Sequence, residues 1–264
     1  MAERPPAIRR ALAAHLALVF AFLYVPIAVL VALSFNEGGL PTAWTGFSTK
    51  WYTALLGNAD ILGAAFNTLI VGLVSTLVAT VLGTALALGI ETRARKGRAI
   101  EALVFAPMII PDIVLAIALL SFFSLLNLPM GLHTIIVSHV VFNLAFVSAV
   151  VRARLKTFDW SVTEASYDLG GDAFTTFRRV TLPLILPAVV AGALLAFTLS
   201  VDEFIIAFFT AGAGRDSTTL PMQIYAMIRF GVTPEVNALA AVVMAVSITA
   251  VTLAQRLNRG LVAP

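Results

Sequence analysis

Charge is what this sequence has least of. Only 12% of its 264 residues are Asp, Glu, Lys or Arg, 60% are hydrophobic, and the mean hydropathy is +0.98. A soluble domain is roughly a quarter charged, so a chain this apolar belongs in a bilayer. Cysteine is absent. That excludes a disulfide framework, a thiolate metal site and a thiol nucleophile. The three histidines, His15, His133 and His139, have no metal-ligand spacing and read as packing or interface residues. The chain has no Gly-x-x-x-x-Gly-Lys-[Ser/Thr] loop, so it lacks that means of binding ATP. It also lacks a separate soluble domain, a short-period repeat and a low-complexity segment.

What the chain has instead is long apolar runs. The first, 11–35, follows Arg9-Arg10 and contains no charged residue. It exceeds a signal-peptide core, so it reads as an uncleaved span, kinked at Pro26. The second covers 61–90, where Ala79, Gly83 and Ala87 recur every four residues as a stripe for close helix packing. The third covers 102–126 and contains Pro107, Pro111 and Asp112. Asn127-Leu128-Pro129-Met130-Gly131 then marks a tight hairpin before a fourth run at 134–151. Two more follow at 183–209 and 236–254. The expectation is an all-α polytopic membrane protein, one transmembrane domain over 1–264, with six spans and both termini on one side.

Charge sets the orientation. Of the 17 Lys and Arg residues, all but Lys50, Arg215 and Arg229 fall in four places. These are the N-terminal tail (Arg4, Arg9, Arg10), the 91–101 loop (Arg93, Arg95, Lys96, Arg98), the 152–180 loop (Arg152, Arg154, Lys156, Arg178, Arg179) and the C-terminal tail (Arg256, Arg259). The positive-inside rule puts those four in the cytoplasm. The net charge of +3 follows from this asymmetry and does not suggest a nucleic-acid partner.

The most ordered non-apolar stretch is 164–187. Ser161 followed by Glu164 predicts a capping box and a short helix from about Val162. Gly170-Gly171 ends it, and Asp172 can cap a second short helix. Pro183 and Pro187 suit the first turns of a membrane helix. The product is a helix–turn–helix knob on the membrane surface.

The order Glu164-Ala165-Ser166, Gly170, Val180, Leu182-Pro183 resembles the Glu-Ala-Ala motif of the membrane subunits of bacterial ABC importers. Ser166 replaces the second Ala, a small-for-small change. The resemblance implies the architecture of a type I importer permease. The 152–182 segment would then be its coupling loop. Glu164, Ala165, Ser166, Asp168, Leu169, Gly170, Leu182 and Pro183 would dock in a cleft of a cytoplasmic ATPase subunit. It implies two ATPase copies that bind ATP and Mg, a second homologous permease, a periplasmic solute-binding protein, and an inner-membrane location. It also implies that this chain is itself non-catalytic and binds no cofactor.

Three acids mark where a solute could pass. Asp112 lies about ten residues, or on the order of 15 Å, into the third run and follows Pro111, where the backbone can open. Asp202 and Glu203 interrupt the fifth run, past a small-residue stripe at Ala188, Gly192, Ala196 and Ser200. On a continuous helix Glu203 sits near that stripe and Asp202 on nearly the opposite side. A charge near the bilayer centre costs on the order of 2.5–3.5 kcal/mol, so each acid needs water or a partner. The plainer alternatives are a helix cap for Asp112 and the outer end of a span for the other two. Trp44 and Tyr225 are aromatic candidates for the outer mouth, with interface anchoring as the alternative.

The run 196–204, Phe208-Phe209-Thr210, Ser34-Phe35-Asn36, Gly46-Phe47-Ser48 and Trp51-Tyr52 look like the polyamine permeases of the same importer family. That likeness implies a polyamine or another small nitrogenous solute. An ion-coupled secondary transporter and an intramembrane enzyme with Asp112 and Asp202 as a carboxylate pair are the other classes. The first leaves the knob unexplained, and no motif supports the second.

Overall fold

The computed structural model describes residues 6–39, 43–92, 97–229 and 231–262. Arg4, Arg93, Arg95 and Lys96, used above for orientation, lie outside the described residues, as do the side chains of Arg98, Arg256 and Arg259. The described residues are helical, with one isolated bridge between Asn36 and Phe47. They fall into two compact units, Met1–Leu62 with Ile224–Pro264, and Gly63–Gln223.

In the first unit, α1 (Pro6–Leu33) runs through Pro26 as a single helix. Leu18 and Phe22 are 70% and 80% exposed on it, a surface suited to lipid rather than water. It packs on α12 (Pro234–Val262), which also contacts α2 (Lys50–Gly57). Between α1 and α2 the chain ties a knot around Asn36. The Asn36 side chain donates to Ala43 O at 2.8 Å and accepts from Thr45 N at 2.9 Å. Trp51 Nε1 donates to Asn36 O at 2.8 Å. Phe35 stacks on Phe47 at 5.3 Å, and Ser34 shares a 2.6 Å hydrogen bond with Tyr52. Ser34-Phe35-Asn36, Gly46-Phe47-Ser48 and Trp51-Tyr52 are thus one structural element.

In the second unit, α3 (Ala59–Thr92) and α9 (Leu182–Asp202) clasp α6 (Leu132–Leu155) through their small-residue stripes. A Cβ on Gly83 would lie 2.9 Å from Val147 Cβ, and one on Gly192 would lie 3.4 Å from Val147 Cα. Ala79, Ala87, Val147, Val151, Leu155, Ile185 and Ala196 form the core there. Close backbone approach maximises dispersion contact where water is not available to drive association.

Two expected spans are broken. The run 102–126 becomes α4 (Gly97–Ile109) and α5 (Asp112–Leu125), bent by 114° at the break. Pro111 has extended backbone, ψ 136°, and starts α5. The run 183–209 is also discontinuous. One 30-residue helix from Ala173 to Asp202 ends in extended backbone at Glu203, and α10 (Ile205–Thr210) starts afresh. Among the described residues, four helices are long and apolar enough to cross a bilayer: Ile8–Leu33, Ala59–Thr92, Leu132–Leu155 and Ala173–Asp202. The bent pair makes a fifth if taken as one span, and Pro234–Thr249 is apolar but shorter.

Candidate functional site

The helix–turn–helix knob is built from short-range signals. After α6 the chain turns at Thr157, buries Phe158 against Trp160 with rings 4.9 Å apart, and enters α7 (Ser161–Asp168). The expected Ser161–Glu164 capping box does not form. Asp159 accepts the Ser161 N–H at 3.0 Å, and α7 begins from Trp160 with no side-chain cap. Asp159 therefore takes the role assigned to Ser161. Gly170 ends the helix at φ 85°, a backbone that disfavours any L side chain. The Gly171 N–H then donates to Ser166 O at 2.9 Å, as a Schellman turn requires.

Asp172 caps the next helix as expected. Its carboxylate accepts from Thr175 N at 2.7 Å and starts α8 (Ala173–Thr176). Hydrogen bonds from Thr175 hold this carboxyl below the usual carboxylate range. Ser166 and Thr176 share a 2.9 Å hydrogen bond that ties the two short helices together. A π-helical turn, Phe177–Thr181, then joins α8 to α9, with Leu182 and Pro183 in the first turn of α9.

Glu164, Ala165, Asp168 and Gly170 are exposed at this tip. So are three large apolar side chains: Leu169 at 91%, Phe174 at 70% and Tyr167 at 52%. Water-facing apolar groups this large on a rigid turn are a mark of a contact surface. Beside them is an open cleft of about 440 Å3, lined by Leu88, Trp160, Glu164, Tyr167 and Phe177 among others. A partly buried ion cluster braces the neighbouring helices. Arg152 at the end of α6 grips Glu101 on α4 with both ends of its guanidinium, and its Nε reaches Glu91 on α3 at 3.3 Å.

The second constellation forms where the two spans break. Glu203 folds back as the cap of α10, Oε1 accepting from Ile206 N and Oε2 from Ala207 N, each at 3.0 Å. Its side chain is 7% exposed. Asp112, the exposed first residue of α5, is within electrostatic reach of Glu203. They are brought together because α5 packs on α10 through Leu115, Ala116 and Ile206. Asp202 is exposed and ends α9. Trp44 and Tyr225 belong to the other compact unit and are 55% and 49% exposed.

His139 was expected to be a packing or interface residue, and its setting is more specific. Its ring is buried, with Nδ1 2.6 Å from Ser200 Oγ and Nε2 3.7 Å from Glu203 Oε2. Ser200 in turn bonds Ser75 Oγ at 3.1 Å. The available signal was an ionisable residue inside a charge-free membrane run.

A helical membrane protein with a helix–turn–helix knob and acids at broken spans is the class these features define. Residues 79–262 match the family of binding-protein-dependent transport system inner membrane components, and the chain belongs to that family. The chain is 40% identical over 242 residues, 91% of each chain, to the spermidine/putrescine transport system permease protein PotC of Escherichia coli K12. It is 39% identical over 237 residues, 87% of this chain and 84% of the relative, to the putrescine transport system permease protein PotI of the same strain. Among solved structures, a chain of a bacterial ABC transporter that imports the acidic polysaccharide alginate superposes with TM-score 0.76 at 15% identity. The match covers 97% of this chain and 99% of that one. A chain of the MetNI methionine ABC transporter gives TM-score 0.65 at 22% identity, over 77% and 96% of the two chains. These two likenesses are of fold.

Proposed function

We propose that the chain forms part of the translocation pathway of an ATP-driven importer for a polyamine of the putrescine or spermidine type. The observation that carries this is the placing of Asp112 and Glu203 at the breaks of two spans whose following helices, α5 and α10, pack together, in a chain otherwise poor in charge. A polycation entering an apolar region loses hydration, and carboxylates on its path offset that loss. The names of the relatives at about 40% identity support the same solute class. Asp112, Asp202 and Glu203 line the path in this reading, with Trp44 and Tyr225 at its outer mouth.

The knob supplies the coupling. Glu164 to Gly170, with Leu182 and Pro183, dock in a cytoplasmic ATPase, and two copies of that subunit bind ATP and Mg. This chain does no chemistry. A second, similar permease completes the path, and a periplasmic protein delivers the solute. Both termini lie in the cytoplasm of an inner-membrane protein. ATP-driven closure of the motors shifts the knobs as rigid bodies and switches access between the two sides.

The test is uptake of labelled putrescine by vesicles carrying the whole complex. Glu203→Gln and Asp112→Asn should each weaken uptake while solute-independent ATP hydrolysis continues. Unchanged uptake in both would remove the pathway role. An importer of another small nitrogenous solute is the second reading, and competition by a panel of amines separates the two.

A further inference from the structure

We infer that His139 is a positioning residue for Glu203, holding that carboxylate toward an incoming ammonium group. This rests on the reading above that Glu203 contacts the solute. The imidazole is anchored at one nitrogen only. Nδ1 lies 2.6 Å from Ser200 Oγ, itself 3.1 Å from Ser75 Oγ, so the ring plane is set from α9 and α3. Nε2 has no hydrogen-bond partner among the described residues and is aimed at Glu203 Oε2, 3.7 Å away.

When the Ser200 hydroxyl donates to Nδ1, the single ring proton of a neutral imidazole sits on Nε2 and points at the carboxylate. The separation exceeds hydrogen-bond length, so the contact orients Glu203 without locking it. Glu203 is otherwise held from the α10 side alone. Its two oxygens already accept from the first turn of α10, and Asp112 adds a second negative charge nearby. With His139 in place, Oε2 keeps one direction open to a donor from the solute. Without it, the two α10 hydrogen bonds still hold the carboxylate from one side, but nothing sets it from the other, and the cost falls on solute affinity.

The test uses the assembled complex in proteoliposomes, with putrescine as probe, reading KM and Vmax of uptake separately. His139→Asn keeps a polar atom near the Nδ1 position and loses the reach to Glu203. His139→Gln carries an amide toward the Nε2 position. Asn should raise KM about threefold at unchanged Vmax, less than the loss of a full hydrogen bond to a charged group, and Gln should restore most of it. In a Glu203→Gln background, His139→Asn should add nothing further. If His139→Asn leaves KM unchanged while Glu203→Gln raises it, the positioning role falls and the pathway reading stands. If Glu203→Gln itself leaves KM unchanged, both fall. Equal loss of Vmax in the Asn and Gln variants, with lowered melting temperature, would mark His139 as packing only and overturn the inference. Should the Asn variant not assemble, Ser200→Ala frees the same ring. A KM unchanged by Ser200→Ala would then count against the role.

Discussion

Arg152 and Glu101 are joined by a two-pronged ion pair that ties the C-terminal end of α6, which leads into the knob, to α4. The Arg152 side chain is 13% exposed and that of Glu101 33%, so water screens the pair only in part. Arg152→Ala removes the guanidinium that grips Glu91 and Glu101. That should cost about 1–2 kcal/mol, below a fully buried pair and above a surface one. Arg152→Lys keeps the charge but not the fork and should recover less than half. Thermal unfolding in detergent reads the stability. Putrescine-stimulated ATP hydrolysis reads whether the knob still follows the helices. A melting temperature unaffected by Arg152→Ala would show that the pair is ornamental.

Gly83 carries a second prediction. Its missing Cβ is what lets α3 approach α6, since an added methyl would meet Val147 Cβ at 2.9 Å and Leu144 O at 3.1 Å. Gly83→Leu should lower stability by about 1–3 kcal/mol through overpacking. Gly89→Ala lies on the same helix with nothing within 4 Å. It should be neutral or mildly stabilising. Similar melting temperatures for both variants would mean that the two helices part easily.

These cases show which features are legible in the residues alone. A period of four small residues is visible in sequence and maps directly onto the helix contacts at Gly83 and Gly192. Knob punctuation is equally local: Gly170, Asp172 and Pro183 act within a few residues of themselves. The start of α7 was misread because Asp159 and Ser161 are both competent caps, and Asp159 wins the Ser161 N–H. The break at Glu203 has no glycine or proline beside it. It arises because α10 packs on α5 and the carboxylate caps α10, both outside the reach of periodicity. His139 meets Ser200 across 61 residues of chain, so its pairing could be found only in three dimensions.

The knob gives a prediction that separates folding from coupling. Leu169 is 91% exposed and packs on nothing that would stabilise the isolated chain. Leu169→Asp should therefore change stability by under about 0.5 kcal/mol. It should nonetheless abolish solute-stimulated ATP hydrolysis by placing a charge in an apolar contact. Gly170→Ala differs, because φ 85° penalises an L residue by about 1–2 kcal/mol and deforms the turn. Loss of coupling in Gly170→Ala alone would place the contact elsewhere on the knob.

Asn36 supports the last prediction. It is fully buried and serves the loop between α1 and α2 from every side: its Nδ2 holds Ala43 O, its Oδ1 holds Thr45, and its carbonyl accepts Trp51 Nε1. Asn36→Ala takes the side-chain partner from Ala43 O and Thr45 N, both on exposed residues where water can replace it, so it should cost about 1 kcal/mol for each hydrogen bond lost. Trp51→Phe removes one donor and keeps the ring, so it should cost less. Limited proteolysis between α1 and α2 reads the difference, with cleavage fastest in Asn36→Ala. Asp112, Asp202 and Glu203 belong to the other compact unit, while Trp44 lies between the two residues that Asn36 holds, so KM for putrescine is read alongside. A large KM shift in Trp51→Phe at unchanged protease resistance would instead give this knot a direct part in handling the solute.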